Sequence, residues 1–111
     1  MTQKLRFTWD QGGHATVLAE PPHDVLAGYL LEELQTNAPV CRRMLDTIQS
    51  LRVGRRSSWD TEGQSWSVSL NRARAAIVSE YAVPGRSLDL TLEEFEEAVG
   101  SWLRFIELTR A

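Results

Sequence analysis

The chain has 111 residues, 42% hydrophobic and 24% charged, with a formal net charge of −3. That size suits one domain spanning residues 1–111 that buries about two-thirds of its unfolded surface, and the composition excludes a disordered tail. A single cysteine, Cys41, excludes an internal disulfide and points to a reducing compartment. No signal-peptide core follows the N-terminus and no apolar run reaches membrane-spanning length, so a cytoplasmic protein without membrane contact is expected.

Taken in chain order, Leu5, Phe7 and Trp9 alternate with Arg6 and Thr8, the period of a half-buried strand. Asp10-Gln11-Gly12-Gly13 is turn chemistry, and Ala15, Val17 and Ala19 resume the alternation, so residues 4–20 read as a hairpin that Pro21-Pro22 ends. A helix starts near His23 or Asp24, with Leu26, Leu30 and Leu34 as its apolar stripe and Val25 and Tyr29 beside it. Asn37 or Ala38 caps a second helix whose first turn holds Pro39. This helix is expected to bury Val40, Met44, Ile48 and Leu51, to expose Arg42, Arg43, Asp46 and Gln49, and to stop at Gly54.

Ser57–Tyr81 reads as three short strands, with Trp59 on the first and Trp66, Val68 and Leu70 on the second. The third passes through Ala76, Ile77 and Val78; turns are expected at 60–64 and 71–74, and a loop from Val83 to Ser87. The last helix has the clearest start. Thr91-Leu92-Glu93-Glu94 is a capping box, with Leu90 and Phe95 placed as a hydrophobic staple. Leu92, Phe95, Val99, Trp102 and Ile106 recur at 3,4,3,4 spacing and define a buried seam. The fold expected is α+β: an antiparallel sheet of about five short strands with three helices packed on one face.

Charge is distributed in blocks. Residues 42–56 carry Arg42, Arg43, Arg52, Arg55 and Arg56 against Asp46, a surplus of +4. Residues 87–111 carry Asp89, Glu93, Glu94, Glu96, Glu97 and Glu107 against Arg104 and Arg110, a surplus of −4. Such blocks speak to partners rather than to fold.

The order of hairpin, helix, Trp59-x-x-x-Gly63 turn, polar-apolar strand pair and closing helix Glu93-Glu94-Phe95-x-x-x-Val99-x-x-Trp102-x-x-Phe105 resembles the YacL-type family of small uncharacterised bacterial proteins. The resemblance implies the α+β layout and no catalytic residues, because the family has none established. Pro21-Pro22 and the Arg-rich segment 42–56 depart from the family pattern. Small acidic α+β chains also resemble immunity proteins of bacterial toxin systems as a class.

The residues that carry chemistry are few. His14, His23 and Cys41 lack the spacing of a zinc site, so no metal or other cofactor is expected; both histidines are placed at the surface. Cys41, in a helix's first turn before Arg42 and Arg43, has the setting of an activated thiol, but a small buried residue is the commoner role. Serines 57, 58, 65, 67, 69 and 79 fall at expected solvent-facing positions without a nucleophile elbow. Glu93–Glu97 are explained by capping and by the helix dipole rather than by acid–base catalysis. A pI near 5.3 argues against a nucleic-acid partner for Arg52, Arg55 and Arg56. Trp9, Trp66 and Trp102 are in phase with core faces, which leaves Trp59 as the candidate interface anchor.

These observations lead to a non-enzymatic binding protein. Its most specific form is a cytoplasmic immunity protein that neutralises a toxin domain through the acidic helix face. The expected partner-binding residues are Glu93, Glu96, Glu97, Asp89, Trp59, Arg55 and Arg56. The alternative is a housekeeping or regulatory protein of the YacL type, dimerising through an apolar strip on the sheet.

Overall fold

A computed structural model of the chain describes residues 5–62, 66–79 and 87–108. Lys4, Gly63 to Ser65, Tyr81, Val83 to Arg86 and Arg110, named above in turns, strands, a loop and the charge blocks, lie outside the described residues.

The architecture is α+β, with three helices and two antiparallel sheets. Strands β1 (Arg6–Trp9) and β2 (Ala15–Leu18) form the first, two-stranded sheet. Strands β3 (Ser58–Glu62), β4 (Trp66–Asn71), β5 (Arg74–Ser79) and β6 (Ser87–Thr91) follow one another in the second. Helix α1 (Asp24–Tyr29) continues into a π-helical turn, Leu30–Leu34, and α2 (Ala38–Arg52) and α3 (Leu92–Leu108) complete the chain. Six strands in two sheets therefore stand where about five in one were expected. The sixth is β6, whose first residue was read as loop and whose Leu90 was read only as a staple.

Register explains the core. Thr61, Val68, Ile77 and Leu88 lie opposite one another across the four strands, as do Trp59, Leu70, Ala75 and Leu90. Because successive side chains on a strand alternate faces, both rows point to the helix side. On that side α1 and α3 pack on β5 and β6, and α2 packs along α3. The other face carries Ser58, Asp60, Ser69 and Asp89, all exposed, with half-buried Ser67, Ala76 and Val78. Ser79 corrects its expected exposure: it sits opposite Trp66 on the buried face and is itself buried.

The local devices are legible. Asp10 Oδ1 accepts from the amides of Gly12 and His14, both at 2.9 Å, and Gly13 takes φ +82° to close the first hairpin. Asn37 is the cap of α2, its Oδ1 accepting from the Val40 amide. At the other end Gly54, at φ +83°, donates to the Leu51 carbonyl while Arg55 N–H donates to Ser50, a Schellman stop. Asn71 Oδ1 accepts from the amides of Ala73 and Arg74 in the β4–β5 turn.

Tryptophans tie the layers together. Trp102 is fully buried in the α3 seam, and its indole N–H donates to the Gln35 carbonyl at 2.7 Å. Gln35 closes the π-helical turn by donating to Leu30 and sits at φ 54°, a strained setting for a non-glycine residue. Trp66 is buried against Tyr29, and its indole N–H donates to Glu32. Trp9 departs from the expected core position: it is half-buried and stacks on Phe105 at 5.0 Å, while Phe7 meets Trp102 edge-on at 5.4 Å. The first hairpin is thus held to the end of α3 by aromatic contacts.

Candidate functional site

The start of α3 is built as the sequence dictates. Glu94 N–H donates to Thr91 Oγ1 at 3.0 Å, and Thr91 N–H donates to Glu94 Oε1 at 2.9 Å. These bonds hold the Glu94 carboxyl below the usual carboxylate range, the backbone bond from Thr91 first among the causes. With Leu92, Phe95, Val99, Trp102 and Ile106 all buried, helical geometry turns Glu93 and Glu97 to solvent, and both are exposed.

Two expected members of the acidic surface are placed elsewhere. Glu96 pairs with Arg52 at the end of α2, and Glu107 pairs with Arg42, so the basic helix and the acidic helix neutralise each other along their contact. Asp89 points to the open face of the sheet, since its neighbours Leu88 and Leu90 point to the helices. The structure brings Glu93 and Glu97 together on one exposed helix face and leaves Asp89 off it. Neither interhelical pair was visible in the sequence, because the partners are far apart along the chain.

Arg55 and Arg56 follow the Gly54 stop and are exposed immediately before β3. Trp59 is half-buried rather than exposed. It lines a cavity of about 250 Å³ between β3, the π-helical turn and α2, together with Tyr29, Glu33, Leu34, Arg43 and Met44. Glu33 carried no sequence signal, and Arg43 was read only as an outward residue of the basic block and a neighbour of Cys41.

Cys41 is fully buried on α2, and burial pushes its thiol up despite the opposing effect of Arg42. A neutral, enclosed thiol is a poor nucleophile. His14 is exposed beside Asp10, and His23 is half-buried at the start of α1 instead of exposed. Among the described residues no three His, Cys, Asp or Glu side chains converge on a metal-sized site, and no helix is long and apolar enough to cross a membrane.

Relatives of the chain are bacterial. A UPF0231 protein of Shewanella oneidensis is 27% identical over 100 aligned residues, covering 77% of this chain and 81% of its own. A second, from Shewanella sp. strain MR-7, is 30% identical over 104 residues, covering 79% and 83%. One from Shewanella putrefaciens is 24% identical over 100 residues, covering 77% and 81%. No solved structure matches the chain at a significant level. Residues 4–94, from the first hairpin through the capping box of α3, match the family described as Uncharacterised protein family (UPF0231). The chain belongs to that family.

Proposed function

We propose that this chain is a non-enzymatic binding protein, and in its most specific form an immunity-type protein that neutralises a bacterial toxin domain. The observation that carries the reading is the exposure of Glu93 and Glu97 on a helix whose opposite face is wholly buried. The capping box fixes the direction of that helix, so the two carboxylates are presented without a folding step at encounter. An anionic face of this kind steers association with a basic surface and fixes its register. Of the four glutamates at the start of α3, Glu94 and Glu96 are half-buried and Glu93 and Glu97 are exposed, so exposure narrows the recognition charges to Glu93 and Glu97. Arg55, Arg56 and Trp59 form a second surface on the β3 side. The buried thiol of Cys41 supports a role without nucleophilic catalysis.

The reading predicts a toxin-domain gene adjoining this one. Co-expression with that domain should restore growth, and the two proteins should co-elute as a stoichiometric complex. Undiminished toxicity with both proteins present would contradict it. The second reading, a YacL-type housekeeping or regulatory homodimer, draws on less. The described apolar side chains on the open sheet face are Ala76 and Val78, too small a strip to drive dimerisation by burial.

A further inference from the structure

The cavity beside Trp59 combines three features. First, it lies at β3, the terminal strand of the four-stranded sheet, where no further strand covers it among the described residues. Second, its wall is mostly apolar, with the Trp59 ring, Leu34 and Met44 among the lining side chains. Third, it is lined by one acid and one base, Glu33 and Arg43, whose side chains form no ion pair or hydrogen bond among the described residues. Between α2 and α3 the fold joins opposite charges, in Arg42–Glu107 and Arg52–Glu96. Here it holds them apart around an open volume.

We propose that this cavity is a binding site for a free α-amino acid with an apolar or aromatic side chain. A zwitterion is the ligand that answers two opposite charges at once. Its carboxylate meets the Arg43 guanidinium, whose planar fork matches a carboxylate with two parallel N–H donors. Its ammonium meets the Glu33 carboxylate, and its side chain lies against Trp59 and Met44. Size selects the same class. A volume of about 250 Å³ falls just below the range of about 300–1,000 Å³ that holds drug-sized ligands, and suits a molecule of amino-acid size. Tyr29 forms part of the wall, and burial together with the Glu33 charge raises its phenol, so it remains a neutral hydrogen-bond donor at physiological pH.

The test is titration of the full chain with L-phenylalanine and L-leucine, followed by calorimetry and by the indole and amide resonances of Trp59 and Thr61. L-Phenylalaninamide and N-acetyl-L-phenylalanine serve as probes lacking one charge each. The proposal predicts saturable one-to-one binding, with either blocked derivative at least about tenfold weaker, a difference of about 1.4 kcal/mol. Arg43→Gln should weaken L-phenylalanine by a similar factor while leaving the amide unchanged, and Glu33→Gln should do the converse with the N-acetyl compound. Arg43 is exposed and Glu33 half-buried, so both variants should fold, which their amide spectra will verify. Failure of both amino acids to saturate the protein at about 10 mM would overturn the proposal. So would equal binding of the blocked and free compounds, which would instead mark a pocket for a partner protein's apolar side chain.

Discussion

Arg52, the last residue of α2, pairs with Glu96 on the second turn of α3. The pair joins the basic and acidic blocks of the sequence and removes one glutamate from the surface expected to meet a partner. Both side chains retain solvent exposure, so the pair is worth at most about 1 kcal/mol and acts mainly on the shape of the charged surface. What remains exposed at the start of α3 is Glu93 and Glu97.

The seam behind those glutamates sets the stability of the helix. Trp102→Ala should cost about 3–5 kcal/mol in urea unfolding, because the ring is fully buried among Phe7, Phe105 and the rest of the seam. Trp102→Phe keeps a ring but leaves the Gln35 carbonyl without its indole donor, an additional cost of about 1–3 kcal/mol if that carbonyl stays dry. A loss below about 1 kcal/mol for the alanine variant, typical of surface sites, would mean the helix phase is wrong.

Gly28→Ala should destabilise the protein even though alanine favours a helix by about 1 kcal/mol. A methyl group at this position would lie 2.9 Å from Trp66 Cζ2. The ring cannot swing aside freely, since its N–H is bonded to Glu32 and it packs at a near-right angle against Tyr29. Overpacking of this kind costs about 1–3 kcal/mol, and thermal unfolding will show a lowered Tm. A raised Tm would show that α1 and β4 do not approach as closely as described.

The cap of α3 predicts a pH dependence. Glu94 has its pKa depressed in the folded state, so the stabilisation it gives is present above the unfolded carboxylate value of about 4 and is lost as pH falls through the lower folded value. Asp10, whose carboxylate accepts from Gly12 and His14, acts in the same direction. Thr91→Ala should cost about 1 kcal/mol at neutral pH. Glu94→Gln should flatten part of the stability loss between neutral and acidic pH, and an unchanged slope would contradict the reciprocal cap.

Cys41 should react with a thiol reagent only as fast as the protein opens, because the group is enclosed and its pKa raised. Cys41→Ala should leave function intact. Rapid modification of the native protein with loss of activity would restore a thiol-based enzyme to consideration.

Much of this fold was legible because its signals are local. The capping box and the 3,4,3,4 spacing located α3, the Asp10–Gly13 turn located the first hairpin, alternation located β4, and the Ala76–Val78 run located β5. β3 was found at Trp59 but cut short, because Asp60, Thr61 and Glu62 read as turn where the strand continues. Strand β6 was missed because it runs into the Thr91 cap, with Leu90 directly before it, so the cap and staple absorbed the strand. The π-helical turn was missed because Leu26, Leu30 and Leu34 keep helical spacing through it while the Gln35 amide reaches back five residues. Ser79 was misplaced although its phase with Ile77 called for the buried face. For the candidate site, exposure of Glu93 and Glu97 followed from helical phase, whereas the capture of Glu96 by Arg52 and the gathering of Glu33, Arg43 and Trp59 around one cavity depend on tertiary contacts between segments that are far apart in sequence.

The central claim is that the acidic face of α3 holds a partner, and charge reversal read by binding kinetics tests it most directly. Glu93→Lys/Glu97→Lys should leave folding within about 1 kcal/mol per site, the usual scale of a dipole interaction. The same double variant should slow association with the partner domain by at least about tenfold and invert the dependence of on-rate on salt. Arg55→Glu/Arg56→Glu should leave the association rate and its salt dependence nearly unchanged. Loss of binding on reversal of the arginines, with the glutamate variant unaffected, would place the interface on the Trp59 side and contradict the acidic-face account.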